Sequence, residues 1–167
     1  LINKDTIKLL SKLSVSPLRI AFDYADEKSI NNYVNAVRLA AEHGFKVLSN
    51  YILFNYKDTP EDFYKRLEIN VKLNEEFEKK NLNTRIWSFP MKYSPVSGER
   101  CRDRKYIGEN WNAKLLRGIQ CVLNATHGVV GPKKEFFYKA FGRNIEEFYE
   151  ILYMPEDFII YRDENIC

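Results

Sequence analysis

Asp23 and Asn55 each follow an apolar run directly, and that placement makes them the first candidates for ligand contact. Asp23 closes LRIAF and Asn55 closes VLSNYILF, while a third polar and aromatic stretch, Met91 to Tyr93, follows TRIWSFP. In parallel β/α architectures, loops at the carboxyl ends of strands converge over a shared pocket. Strands lie about 4.8 Å apart, so polar groups at the ends of neighbouring strands reach one small ligand. Each residue also has a plainer structural reading. Asp23 can cap the next helix, and Asn is a common turn residue. Asp58 supports the helix start at Thr59-Pro60-Glu61-Asp62, where Thr59 suits the N-cap and Pro60 the first turn.

A second group of candidates is Arg100, Arg102 and Arg104, with Tyr106 and Trp111 close behind. Cations interleaved with rings can hold phosphates and stack bases, and the same composition suits docking on an acidic surface or simple solvation. Residues 81–130 carry eight basic and three acidic groups, against five and eight in residues 131–167. The basic middle therefore attracts an anion, a nucleic acid or an acidic partner. Cys101, Cys121 and Cys167 have neither metal-ligand nor disulfide-framework spacing and read as free thiols, with Cys101 among arginines the reactive candidate. His43 and His127 each precede a Gly at an expected helix end, where a structural role fits. No Ser-His-Asp order, P-loop or GxGxxG occurs, so nucleophilic hydrolysis and dinucleotide binding lack support.

The elements that must position these residues follow from periodicity. Residues 4–13 read as a short helix, 18–22 as a strand and 29–42 as a helix ended by Gly44. Residues 45–54 are too β-branched and aromatic for a surface helix and read as a strand covered on both faces. A helix over 60–80 and a strand over 84–89, ended by Pro90, complete three strand units. Strands about thirty to forty residues apart need crossover helices and so run parallel. A doubly wound sheet and part of a β/α barrel both satisfy that spacing. Residues 91–107 read as a long loop, 111–126, 133–141 and 145–152 as helices, and 158–161 as a last strand or helical turn. No apolar run is long enough to cross a bilayer and no signal-peptide pattern opens the chain, so the expected setting is cytoplasmic.

The segments LRIAFDYAD, HGFKVLSNYILFNYKDTPEDFYKRL and TRIWSFPMKYSP, taken as a series over residues 17–95, resemble the second half of the radical S-adenosylmethionine (radical SAM) core. The likeness lies in a strand ending in Asp, a Gly-Φ-x-Val approach to the next strand and a Leu-Phe-Asn-x-x-Asp-Thr-Pro-Glu loop. It implies an α/β fold: a partial β/α barrel of about three parallel units over residues 1–95. A basic loop and helical extension over 96–167 would pack on the same domain. It further implies that Asp23, Asn55, Arg19 and Asn50 line the side of the barrel that holds S-adenosylmethionine or substrate. The CxxxCxxC loop that carries the family's [4Fe–4S] cluster is absent from the sequence, as is its Gly-Gly-Glu stretch, and strand 45–54 lacks the Gly-rich adenine motif. Both cofactors are therefore expected only in a full-length protein whose cluster loop precedes Leu1, with this chain inactive alone.

The leading expectation is thus a carboxyl-terminal fragment of a radical SAM enzyme, forming one wall of its pocket. Its partner would be the missing barrel half or a second copy of the chain. The alternative is a small α/β binding module whose basic loop grips nucleic acid or another anion. A third reading makes Phe136, Phe137, Tyr138, Phe141, Phe148 and Tyr149 a docking interface rather than core.

Overall fold

Three parallel strands in the order β1-β2-β3 form the only sheet among the described residues, accompanied by seven helices. The computed structural model describes residues 3–161, so the Cys167 thiol lies outside the described residues. Helix α1 (Lys4–Leu10) precedes β1 (Leu18–Arg19), α2 (Glu27–Glu42), β2 (Val47–Phe54), α3 (Pro60–Lys79) and β3 (Arg85–Lys92). The chain then runs through a loop to α4 (Ala113–Ala125), α5 (Lys134–Phe141), α6 (Ile145–Tyr153) and α7 (Glu156–Tyr161). The last of these resolves residues 158–161 as helical turn rather than strand.

Local chemistry explains the boundaries. Thr59 caps α3 by accepting from the Asp62 N–H, and the Asp62 carboxylate accepts from the Thr59 N–H in return. Asp26, not Asp23, caps α2 by accepting from Ser29 N–H. Trp111 lies outside α4, because Asn112 is its cap. Strand β3 runs through Pro90 to Lys92, beyond the end expected at residue 89. The Arg85 N–H points to β2, so the alternate residue Pro90 turns its missing N–H to the outer edge, where no ladder bond is lost. Conversely, β1 is shorter than expected. After the Ile20 N–H bonds Ser49, the chain leaves the ladder and the carbonyls of Phe22 and Asp23 accept from Arg66 instead.

Both crossover helices sit on one face of the sheet. Asn50 of β2 donates to the Tyr33 hydroxyl of α2, which donates to Asn70 of α3, which donates to Ser88 of β3. That chain of bonds fixes Leu48, Asn50, Ile52 and Phe54 on the helix side and their alternates on the other. A doubly wound sheet carries helices on both faces; a barrel wall carries them on one. The opposite face leaves Tyr51 46%, Trp87 38% and Met91 47% exposed. Strand β2 is therefore covered on one face, not the two its apolar run suggests.

The helical extension packs on α3 through rings. Phe63, fully buried, meets Phe54, Trp111, Phe141 and Phe148 with centroids 5.2 to 6.4 Å apart. Phe137, Phe141 and Phe148 are 0% exposed, which corrects the reading of this aromatic set as a docking interface. They are core, and only Phe136 stays substantially exposed, at 37%.

Candidate functional site

The carboxyl edge of the sheet is held together by one side chain, Arg66, which is 0% exposed. Its Nε donates to Asp62 O, Nη1 to the carbonyls of Phe22 and Asp23, and Nη2 to Leu53 O and to the Asp58 carboxylate at 2.7 Å. All five N–H groups of the guanidinium thus have acceptors. They join the end of β1, the end of β2 and the first turn of α3, so the strand-end loops sit at fixed spacing. Burial pushes the Asp58 carboxyl up from its usual range, opposed by the Tyr56 N–H and by the Arg66 charge. Burial likewise lowers Arg66, with Asp58, Asp62 and Asp23 opposing.

Asn55 fastens the third loop. It adopts φ +70°, in the left-handed region that Asn tolerates better than most residues, and it is fully buried. Its Nδ2 donates to the carbonyls of Tyr93 at 3.2 Å and Tyr106 at 3.0 Å, and its Oδ1 accepts from Gly108 N–H at 2.8 Å. Gly108 permits this approach, since a Cβ there would lie 2.6 Å from Tyr56 O. The Trp111 indole adds a second tie by donating to Asp58 O at 2.9 Å. The 93–108 loop is thereby latched over the ends of β2 and β3.

Above this frame a cleft of about 290 Å³ opens between the β1–α2 and β2–α3 loops, lined by Asp23, Asp26, Lys57, Asp58 and Asp62. Three of its carboxylates are engaged by caps or by Arg66, whereas the Asp23 carboxylate has no hydrogen bond or ion pair among the described residues. Asp23 also borders a larger cleft of about 450 Å³ along the free side of β1. Beside the smaller cleft, Tyr56, Tyr93 and Tyr106 form a ring trio with centroids 4.5 and 5.6 Å apart. Lys57 lies over Tyr56 and Arg100 over Tyr106.

The four residues expected to line one pocket occupy four environments. Asp23 faces the clefts. Asn55 is sealed under the loop with its amide engaged at both ends. Arg19 lies on the open face, 5.8 Å over the Tyr51 ring. Asn50 is on the helix side in the Tyr33–Asn70–Ser88 chain, its Oδ1 without a partner. In the basic loop, Arg100 pairs with Asp103 at 3.7 Å, Arg102 takes φ +60°, and the Arg104 carbonyl accepts from Lys92. Cys101 is exposed and Cys121 buried, both as free thiols, and burial pushes the Cys121 thiol up.

Sequence reasoning missed Arg66 and the buried row it begins. Arg66, Asn70 and Asn74 recur every fourth residue along α3, so three polar groups share the helix stripe that faces the sheet. That spacing, alongside Phe63, Leu67 and Val71, was the available signal.

Among the described residues no group of three or more His, Cys, Asp or Glu side chains lies close enough together to hold a metal ion. Among the described residues no helix is long and apolar enough to cross a membrane. No protein-family model, curated protein or solved structure matches the chain.

Proposed function

We propose that this chain is one wall of a radical S-adenosylmethionine enzyme, contributing the carboxyl-terminal half of its β/α barrel and inactive alone. The observation that carries the reading is the sheet with helices on one face only. Its other face, with Tyr51, Trp87 and Met91 exposed, has the character of a barrel lumen rather than a finished surface. The motif series over residues 17–95 supports the family, and Asp23 supplies a carboxylate without a hydrogen bond at the carboxyl edge, where such barrels hold ligands. The cluster ligands, and the residues that grip S-adenosylmethionine, belong to a complementing wall in this reading. The setting is the cytoplasm. The decisive experiment is to read the coding sequence ahead of Leu1. A CxxxCxxC loop within roughly two hundred codons, the span a barrel's remaining units require, is expected; its absence there sinks the enzyme reading.

A second reading is favoured by the ring trio, where Lys57 and Arg100 already sit over tyrosines. Here the loop binds nucleic acid, with phosphates on Arg100, Arg102 and Arg104. Replacing the three together by Gln then abolishes retention on a polyanion column and its salt dependence, whereas unchanged retention removes this reading.

A further inference from the structure

The free edge of β1 carries opposite charges on either side of its midpoint. Register with β2 turns the Leu18 and Ile20 main chain inward, so Arg19 and Ala21 present their N–H and C=O groups outward. Along the same stretch Arg19, Ala21 and Asp23 are exposed, while Leu18, Ile20 and Phe22 are buried. Arg19 has no ion pair among the described residues, and its guanidinium rests over the Tyr51 ring. Asp23 is near enough for Arg66 to feel its charge, but the N–H groups of Arg66 are committed to other atoms. The edge thus reads cation, small residue, carboxylate at alternate positions, and that order is complementary to its own reverse. Beside it runs the cleft of about 450 Å³, and every α2 residue that lines it is uncharged, Asn32, Asn35 and Ala36 among them.

We propose that this edge pairs with a second copy of the chain, β1 against β1, antiparallel about a twofold axis at Ala21. Each Ala21 N–H then donates to the Ala21 carbonyl of the other copy. Arg19 of each copy falls directly opposite the partner's Asp23, where opposite charges stabilise a strand pair. Other registers lose that match. An axis at Ile20 sets Asp23 against Pro17, and one at Arg19 sets the two arginines on each other. To make the bridge Arg19 leaves the Tyr51 ring, exchanging a cation–π contact at an exposed site for a carboxylate that its fork can hold. The helices fit the same arrangement. Tyr33 stacks on Phe22 at 3.9 Å and bonds Asn50, so α2 lies over β1 and β2. Continuing the strand spacing across the axis sets the two α2 helices about 10 Å apart, close to the separation of packed helices. Their uncharged faces then close the two clefts on each other, and each copy supplies the cation that the other's Asp23 lacks. A complementing wall, where present, takes the same edge, so the pairing belongs to the chain by itself and does not rest on the barrel reading.

Light scattering on the whole chain over a concentration series reads the pairing, and a thermal melt in dilute solution checks that each variant folds. The chain is expected to dimerise reversibly, with the Arg19 and Ala21 amides open when dilute and protected in the dimer. R19D opposes carboxylate to carboxylate and D23R guanidinium to guanidinium, so each should weaken the dimer by at least about tenfold. An equal mixture of R19D and D23R restores both opposed pairs and should recover most of the dimer, a result that damaged folding cannot produce. A21P should abolish pairing while leaving the dilute melt unchanged, because an outward edge position tolerates the missing N–H. A chain that stays monomeric to millimolar concentration, a dimer indifferent to either charge reversal, or single variants that fail to recover on mixing would each overturn the proposal. The barrel reading is decided separately, by the sequence ahead of Leu1. A dimer without an upstream cluster motif defeats only the barrel, and a cluster motif with a monomeric chain defeats only this inference.

Discussion

Arg66 is the residue on which the carboxyl edge depends, and its value lies in geometry rather than in charge alone. Only a planar fork can donate at once to Phe22, Asp23, Leu53, Asp62 and Asp58. Replacing it with Met leaves those carbonyls and the Asp58 carboxylate buried without a donor, at a cost of about 3–5 kcal/mol. Urea unfolding should register that loss, and R66K should recover only a minor part of it. A cost under about 1 kcal/mol would mean that water replaces the guanidinium and that the site is more open than described. Asn55 teaches a related point about what a sequence makes legible. Its place at the end of β2 follows from the apolar run before it. Its partners do not, because they lie 38, 51 and 53 positions away on a loop without periodicity. The same holds for Asn50, whose strand parity decides between the open face and the core. A one-residue uncertainty in where β2 begins exchanges the two faces.

At the scale of elements, the helices were legible where capping chemistry is local, as at Thr59 and Pro60, and the strands where it is not contested. Strand β1 defeats the reading because a distant side chain, Arg66, competes for its carbonyls. Pro90 defeats it because an edge position tolerates what a central strand would not. Helices α2 and α3 are also tied across their solvent side, where Arg38 forks onto Glu76 and Lys80 joins the same carboxylate at 2.7 Å. Hydrogen bonds from Arg38, then Lys80, hold the Glu76 carboxyl below its ordinary value. A lowered folded pKa stabilises above the unfolded value and is lost as pH falls through the folded one. E76Q should therefore cost up to about 1 kcal/mol near neutrality and nothing in acid, once Glu76 itself is protonated. Urea titrations at about pH 7 and about pH 3 check this. A penalty that persists in acid would assign the pair's contribution to packing instead.

For the whole molecule, the two edges of the sheet are unequal, and that inequality points to where a complementing wall would join. Along the first half of β3 the outward groups are paired: Asn74 donates to Ile86 O and accepts from Ile86 N–H, and Ser88 exchanges both bonds with Val130, while Pro90 further on has no N–H to leave open. At β1 the outward main-chain groups of Arg19 and Ala21 have no partner among the described residues. An open edge of this kind is a template for another strand. In the barrel reading, a further wall would therefore join through β1 rather than through β3. Amide hydrogen exchange on the isolated chain tests the asymmetry. Ile86 and Ser88 should exchange slowly, at rates near those of the core, and Arg19 and Ala21 among the fastest of the sheet residues. In the presence of a complementing segment, the β1 amides should become protected while those of β3 stay as they were. Protection at β1 that rises with the concentration of this chain alone would instead mean that copies pair through that edge, making the partner wall a second protomer.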